Sequence, residues 1–98
     1  MISVLVRLRI DSWDQFRAVH DDPEFTRIRL DTGNLSHQVL SQLDDPTDVV
    51  FWDTWSSPQD ADDFYEGDRF VDSLGQMGAS IVERINLEQT PASSISPH

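Results

Sequence analysis

The stretch of residues 49–70, VVFWDTWSSPQDADDFYEGDRF, changes from strand periodicity to a capped helix within a few residues. Apolar and aromatic side chains occur on both parities of VVFWDTW, which predicts a strand that contacts protein on both faces. Ser57 followed by Pro58 is a typical N-cap and first-turn pair, so a helix is predicted to begin there. A strand that leads directly into a helix favours a layered arrangement of sheet and helices.

The first half of the chain gives the same two signals. Residues 3–10 alternate between apolar and mixed side chains and predict the first strand. Ser12 stands three residues before Gln15, in the relation of a capping box, which predicts a helix. Asp22 supplies a second cap, so the helical connection is predicted to continue at an angle and to end at Gly33. The buried stripe of the first helix is predicted to contain Trp13, Phe16, Val19 and His20.

Residues 37–43 and 49–55 predict a hairpin around the turn DDPTD. The helix predicted to begin after Ser57 is predicted to continue in a further stretch, which Asp68 caps. Residues 80–88 predict the final strand, with Ile81, Ile85 and Leu87 on one face. The order β, α, β, β, α, β predicts an α+β, ferredoxin-like plait, in which a four-stranded antiparallel sheet has its helices on one face.

These elements predict a single domain over residues 1–88, followed by a flexible, Pro- and Ser-rich tail over residues 89–98. A chain of 98 residues buries only about two thirds of its unfolded surface. Leu5, Leu40 and part of the third strand put apolar groups on the sheet face that lacks helices. We therefore expect a homodimer through this open sheet face.

The composition limits partners and location. There are 18 acidic residues against 7 basic ones, no lysine and no cysteine, and the net charge is −11. This charge disfavours nucleic acid and anionic membranes as partners, and a salt-rich cytoplasm or a GC-rich genome each explains it. The first ten residues do not resemble a signal peptide, and no apolar run approaches the roughly 20 residues of a membrane span. A cytoplasmic location is expected.

The chain resembles the dimeric α+β barrel proteins related to antibiotic biosynthesis monooxygenases. The resemblance covers nearly all of residues 4–88. It is carried by DSWDQF in the first helix, the passage from Arg27 to Gly33, DDPTDVVFWDTW in the hairpin, SSPQDADDFYEGDRF in the second helical part and GQMGAS before the last strand. It implies two sheets packed face to face, with a cavity between sheet and helices or at the end of the barrel.

The resemblance also implies two kinds of activity. Some relatives are cofactor-independent oxygenases, which hold an electron-rich phenol that activates oxygen after it loses a proton. Haem-degrading relatives use a first-strand Asn, a third-strand Trp and a helical His. Trp55 matches this Trp, but Arg7 is near the Asn position and Leu74 is where the His would fall, so haem degradation is disfavoured. No cofactor is expected.

Three residues are candidates for catalysis: His37, Arg7 and Arg9. An imidazole titrates near pH 6.5, so His37 is suited to take a proton from a phenol. Arg7 and Arg9 share a strand face and are suited to oppose the resulting anion. The alternative is structural: a partly exposed histidine, and arginines paired with Asp53 or with acidic groups across the sheet or the dimer.

Five residues are candidates for ligand contact: Trp55, Trp52, Phe64, Tyr65 and Asp53. Trp52 and Trp55 lie on opposite strand faces by parity, so at most one is expected to face a cavity. Packing in the core or in a dimer is the alternative role for these aromatic residues. No metal site is predicted, because the histidines are far apart in the sequence and the acidic DADD segment lacks the spacing of a calcium loop. His20 is interpreted as a favourable charge at a helix C-terminus.

Two functions remain open. The first is a cofactor-free oxygenase or cyclase that acts on an aromatic or polyketide-like compound. The second is a non-catalytic dimer that binds a small apolar molecule or has a structural or stress-associated role. The two differ in the cavity they require. A large cavity with polar and aromatic walls favours the enzyme, and a cavity filled by Trp52, Trp55 and Phe64 argues against it.

Overall fold

The computed structural model describes residues 1–88 of the chain. Each of the two helical connections is divided into two helices. The elements are β1 (Ile2–Ile10), α1 (Trp13–His20), α2 (Pro23–Thr32), β2 (Asn34–Ser41), β3 (Asp48–Trp55), α3 (Pro58–Tyr65), α4 (Asp68–Met77) and β4 (Ala79–Glu88). The tail predicted for residues 89–98 lies outside the described residues.

The four strands form one antiparallel sheet in the order β2-β3-β1-β4. β1 lies in the centre and pairs with β3 on one side and β4 on the other. β2 completes the sheet as the hairpin partner of β3. The predicted α+β, ferredoxin-like plait with a four-stranded antiparallel sheet is confirmed.

Local capping signals account for most helix starts. The three N-caps predicted first are confirmed, because each side chain accepts a hydrogen bond from a backbone N–H of the first turn: Ser12, Asp22 and Ser57. The cap predicted at Asp68 was wrong. Gly67 is the N-cap of α4, and Asp68 is the first helical residue, where its carboxylate lies near the positive end of the helix dipole.

Two strand predictions needed correction. β2 begins at Asn34 rather than at residue 37, because the Asn34 amide donates to the carbonyl oxygens of Ser36 at 2.9 Å and Thr54 at 3.0 Å and thereby ties the start of the strand to β3. In β4 the register with β1 shifts by one residue between Ile81 and residue 83. Such a bulge reverses the side-chain parity, so the prediction that Ile81 shares a face with Ile85 was wrong.

The core lies between the sheet and the helices. Val4, Val6 and Leu8 of β1 and Phe51 of β3 point towards the helices and are buried. Burial of each such side chain stabilises the fold by about 1.5–3 kcal/mol. The strands also contribute Ile2, Ile10, Val49 and Trp55. The helices contribute chiefly Phe16, Phe25, Phe64, Phe70, Leu74 and Met77.

No helix of residues 1–88 lies over the other sheet face. Four large apolar side chains on the strands are 40–46% exposed in the single chain: Leu40, Trp52, Ile85 and Leu87. We call this surface the open sheet face. Its apolar character agrees with the sequence prediction, and the dimer that was inferred from it stays a prediction.

Gly33 and Gly75 provide a matched pair of substitutions. Gly33 has φ 112° at the end of α2, and a Cβ there would lie 2.5 Å from Oδ2 of Asp60. Gly75 lies inside α4, and a Cβ there would meet no atom within 4 Å. We therefore expect Gly33→Ala to lower the free energy of unfolding by about 1–3 kcal/mol and Gly75→Ala to raise it by about 0.5–1 kcal/mol. Urea unfolding of both variants tests this, and equal effects would contradict it.

Candidate functional site

A chain of hydrogen-bonded polar side chains crosses the interior between the sheet and the helices. From the surface inward, Oδ1 of Asp21 lies 2.8 Å from Nδ1 of His20, and Nε2 of His20 lies 2.8 Å from Nε2 of His37. Nδ1 of His37 is hydrogen-bonded to Oδ1 of Asp53, and the hydroxyl of Tyr65 donates to Oδ2 of Asp53. We call these five residues the buried polar chain.

The fold brings the chain together from four elements. His37 on β2 and Asp53 on β3 are register partners, so their side chains emerge on the same face of the sheet. His20 is the last residue of α1, and Asp21 is the C-cap that follows it. Tyr65 is the last residue of α3 and reaches Asp53 from the opposite side. Each link except that between His20 and Asp21 joins residues more than ten positions apart in the sequence.

The surroundings of the two histidines are aromatic. The His20 ring stacks on Phe16, with a centroid separation of 5.1 Å and an interplanar angle of 16°. The rings of Phe25 and Phe51 lie 5.5 Å and 5.7 Å from it, and Phe51 also lies 4.9 Å from the His37 ring. The His20 side chain is only 14% exposed, and this burial lowers the pKa of its imidazole.

The hydrogen bonds limit where the protons of the chain lie. One proton lies between the Nε2 atoms of His20 and His37, because two facing lone pairs or two facing N–H groups form no hydrogen bond. A carboxylate only accepts, so Nδ1–H of His37 donates to Asp53. In the neutral form of His37, Nε2 therefore accepts from Nε2–H of His20.

Tyr65 and Trp55 close the inner end of the chain. The indole Nε1–H of Trp55 donates to the Tyr65 hydroxyl at 3.0 Å. Burial, together with the negative charge of Asp53, raises the pKa of Tyr65, so its hydroxyl keeps its proton. Tyr65 is therefore a fixed donor to the Asp53 carboxylate, which is completely buried.

Arg29 of α2 is a buried cation on the same side of the sheet. Its residue is 8% exposed, and its Nη1 donates to Oδ1 of Asn34 at 2.9 Å. Its Nε has no hydrogen-bond partner within residues 1–88. Burial lowers the pKa of this guanidinium, and the negative charge of Asp53 opposes the effect.

The structure separates the predicted catalytic residues. Arg7 and Arg9 lie on the open sheet face, whereas His37 faces the helices. Nη2 of Arg7 lies 2.7 Å from Oδ2 of Asp48, and Nη1 of Arg9 lies 2.7 Å from Oδ2 of Asp45. The hydrogen bond between Arg7 and Asp48 lowers the pKa of the carboxyl and raises that of the guanidinium. The alternative of pairing with acidic groups across the sheet is therefore observed, but the pairing with Asp53 was wrong, because Asp53 points to the other face.

The predicted ligand contacts are also divided. Trp52 is on the open sheet face and Trp55 is on the helix side, as their parity predicts. The ring of Phe64 packs against Trp55 at 5.0 Å, and that of Tyr65 lies 5.4 Å from Trp55. Trp55, Phe64 and Tyr65 are all buried, and they fill the interior around the end of β3.

Clefts between the helices lie beside this interior. A cleft of about 260 Å³ is lined by α1, α2 and α4, and it includes Val19, Asp22 and Phe25. A second cleft, of about 270 Å³, lies between α2, α3 and α4 and includes Phe64. Ile28 lines both clefts. The first cleft is next to His20, because Phe25 borders both.

Residues 1–88 contain no group of three or more His, Asp or Glu side chains placed to hold a metal ion. In the same range, no helix is long and apolar enough to cross a membrane.

The sequence named His37, Asp53 and Tyr65 as candidates, but it did not indicate the contacts that His20 and Arg29 make beside them. His20 was placed on the buried stripe of α1, four residues after Phe16, and that spacing was the available signal. Its interpretation as a C-terminal charge was wrong, because the ring lies inside an aromatic cluster. Arg29 stands four residues after Phe25 in the same way, and its guanidinium lies 5.6 Å from the Phe25 ring.

No protein-family model matches the sequence, and no curated protein sequence matches it significantly. Solved structures do match. HapK from Hahella chejuensis aligns with a TM-score of 0.71 at 17% identity, over 99% of this chain and 100% of that one. SnoaB from Streptomyces nogalater, a cofactor-independent oxygenase, aligns with a TM-score of 0.64 at 15% identity, over 92% and 95%. A candidate antibiotic biosynthesis monooxygenase from Deinococcus radiodurans aligns with a TM-score of 0.62 at 17% identity, over 99% and 100%.

The resemblance to antibiotic biosynthesis monooxygenase-like proteins is thus confirmed at the level of the fold. The alignments extend over nearly the whole of each chain, so the fold is shared from β1 to β4. At such low identities the likeness carries no residue roles from those proteins to this one.

The lowered pKa of His20 predicts how stability depends on pH. Below about pH 6.5 an imidazole in the unfolded chain binds a proton more readily than the buried imidazole of His20. The unfolded state therefore holds more protons, and His20 makes the free energy of unfolding fall as the pH is lowered through this range. His20→Phe keeps an aromatic ring and removes the titration. We expect the stability of the wild type relative to this variant to decrease from pH 8 to pH 5 in urea unfolding, and parallel profiles would contradict the assignment.

Proposed function

We propose that this protein is a cofactor-independent enzyme of the oxygenase or cyclase type, which removes a proton from a phenolic or enolisable aromatic compound. His37 is the general base in this proposal. The observation that carries it is the buried pair of Asp53 and His37, with Tyr65 on the second carboxylate oxygen. The fold shared with a cofactor-independent oxygenase is consistent with it.

The pairing gives His37 the properties of a base. A carboxylate on Nδ1 holds the ring in the tautomer whose Nε2 is the acceptor, and it stabilises the imidazolium that forms after proton transfer. Tyr65 holds the carboxylate in place. A buried carboxylate has a desolvation cost of several kcal/mol that its partners must offset, and the replacement of a buried charged pair by apolar residues is often neutral for stability. A catalytic role accounts for keeping the charge.

A cation on the same side of the sheet opposes the negative charge that develops on the substrate. Arg29 lies on this side and has an N–H without a hydrogen-bond partner in residues 1–88. Arg7 and Arg9 lie on the other face, engaged with Asp48 and Asp45. In the proposed site Arg29 therefore takes the role that the sequence suggested for Arg7 and Arg9.

The chemistry balances without a cofactor. His37 takes the proton of the phenol or of the acidic C–H, and the resulting electron-rich anion donates electrons to O₂. One oxygen atom is retained in the product as a carbonyl and the other leaves as water. A cyclase uses the same proton transfer, and the carbanion then adds to a carbonyl carbon of the same molecule. The C=O π bond breaks, and the oxygen takes up the proton from His37, so no O₂ is needed.

Oxygen uptake with anthrone as the probe tests the proposal. Removal of a general base lowers turnover by about 10²–10⁴-fold, so the turnover of His37→Gln is expected to fall by that factor. The turnover of Asp53→Asn should also fall, because the amide no longer fixes the tautomer of His37. The control is Asp63→Asn, an exposed carboxylate of α3 that is hydrogen-bonded to Gln59, and it should retain wild-type turnover.

Two outcomes of this experiment decide between the alternatives. Hydrogen–deuterium exchange at the acidic carbon of anthrone, measured without O₂, reports proton removal by the base alone. Exchange in this measurement, together with no oxygen uptake when O₂ is present, indicates a cyclase. Wild-type protein that neither exchanges this hydrogen nor consumes oxygen would sink the enzyme proposal.

A specific observation favours the non-catalytic alternative, a small-molecule-binding dimer. Trp55 and Phe64 fill the interior at the end of β3, which argues against a large cavity there, although Trp52 is not part of the filling. The two clefts beside it, of about 260 and 270 Å³, are below the roughly 300–1,000 Å³ of most ligand pockets. This alternative holds if the protein binds apolar rings without turnover.

In either case the protein acts as a homodimer through the open sheet face. Leu40, Trp52, Ile85 and Leu87 form a partly exposed apolar surface there, and a second copy would bury it. Trp52 lies on β3, next to the central strand, and is the largest side chain of this group. The dimer leaves the buried polar chain on the helix side of each sheet.

Trp52→Glu tests the dimer. A carboxylate in a dry interface lacks a partner, so this variant is expected to sediment as a monomer at concentrations where the wild type is a dimer. Leu43→Glu is the matched control, because Leu43 is fully exposed in the turn before β3. The dimer proposal fails if the wild type is a monomer, or if Leu43→Glu dissociates as readily as Trp52→Glu.

A further inference from the structure

The ring of His20 lies in a slot that has the form of a small aromatic binding site. Phe16 stacks on one face of the ring, and Phe25 and Phe51 border it at 5.5 Å and 5.7 Å. One polar atom of the ring, Nε2, points at Nε2 of His37 from 2.8 Å. The second polar atom, Nδ1, lies at the surface end, 2.8 Å from Oδ1 of Asp21. The slot thus holds a flat ring between apolar walls, and its inner end offers one hydrogen-bond partner, Nε2 of His37.

His20 is hydrogen-bonded to the nitrogen atom through which the proposed base would accept a proton. Asp53 holds Nδ1 of His37, so Nε2 is the atom left to accept a proton from a substrate. While His20 is bonded to that atom, no substrate can reach it. The base and its blocking ring are both present in the described structure.

The position of His20 in the fold allows it to leave. It is the last residue of α1, and the next helix begins only three residues later, so a change at this junction leaves the sheet and the bodies of the helices in place. Its ring is partly exposed at the surface end of the buried polar chain. The cleft of about 260 Å³ adjoins it, with Val19, Asp22 and Phe25 in its lining.

We propose that the His20 imidazole is an internal occupant of a ligand slot, and that the ligand is a single planar aromatic ring with one O–H or N–H, such as a phenol or an azole. The ligand takes the place of the imidazole between Phe16, Phe25 and Phe51 and donates its proton to Nε2 of His37. The inference rests on the proposed function for the role of His37 as a base. Its test is binding, which is measured without turnover.

The first test removes the occupant. His20→Ala opens a space the size of an imidazole, and phenol and imidazole are the probes. Each should raise the melting temperature of this variant by several degrees at saturation, because a ligand that binds only the folded state stabilises it. Benzene fits the walls but donates no proton to His37, so it should raise the melting temperature less.

His20→Phe is the matched control. Its phenyl ring fills the slot and makes no hydrogen bond that a ligand could take over. Phenol should leave its melting temperature unchanged. The slot is overturned if phenol stabilises His20→Phe as much as His20→Ala, which places the binding elsewhere. It is also overturned if benzene and phenol are equivalent in His20→Ala, since His37 is then not the partner.

The second test uses the wild type and does not depend on the folding of a variant. The two imidazoles are close enough for cross-relaxation between their ring protons in a nuclear magnetic resonance spectrum. Saturating phenol is expected to abolish this signal and to shift the resonances of both rings. Bound phenol with the signal intact would show that His20 is not displaced.

The outcomes separate this inference from the proposed function. If phenol displaces His20 in wild-type protein that has no activity on anthrone, the slot is supported and the enzyme proposal is overturned. Turnover of anthrone with no displacement of His20 overturns the slot and supports an enzyme whose base is not His37, because His20 then blocks Nε2 of His37.

Discussion

The carboxylate of Asp53 is the group on which the arrangement of the interior depends. It has no exposed surface, so it must be compensated within the protein, and an isolated buried charge would cost several kcal/mol. His37 from β2 and Tyr65 from α3 supply the two hydrogen bonds, and Arg29 from α2 adds an opposing charge. One residue thereby links the edge strand of the sheet to two helices, and a shift in any of these elements leaves a buried charge without a partner.

The parity of β3 then keeps two kinds of chemistry apart. Asp53 and Trp55 point to the helices and build the interior, whereas Asp48 and Trp52 point to the open sheet face. The ion pair of Arg7 and Asp48 lies on that outer face, where a second copy of the chain would pack in the proposed dimer. Charged pairs at an interface mainly select the orientation of the partners, and the apolar side chains contribute the affinity. The open sheet face has both, and neither is needed by the buried polar chain.

Local signals made most of the fold predictable. Ser12, Asp22 and Ser57 cap helices through atoms two or three residues away, so their effect can be read from the sequence. The alternation along β1 and β3 likewise depends on neighbouring residues. The bulge in β4 was not predictable, because it depends on pairing with a strand some 75 residues earlier. The contact between His20 and His37 was missed for the same reason: the angle between α1 and α2 decides whether a helix-terminal imidazole meets water or β2, and no short pattern specifies that angle. His37, Asp53 and Tyr65 were found as separate candidates, but their connection was not.

A filled interior and a ligand site are compatible in this fold if the site is occupied by the protein itself. Trp55 and Phe64 belong to the packed core, and moving either would leave buried apolar surface without contacts. His20 differs, because it is at a helix end, partly exposed, and held by aromatic contacts and hydrogen bonds that a ligand ring can replace. A net hydrogen bond contributes only about 0.5–1.5 kcal/mol, so the exchange costs little beyond what the ligand restores. The apparent affinity equals the intrinsic affinity multiplied by the fraction of molecules in which the imidazole has left. The size of the slot, rather than the volume of an empty cavity, then limits the part of a ligand that contacts His37 to one ring.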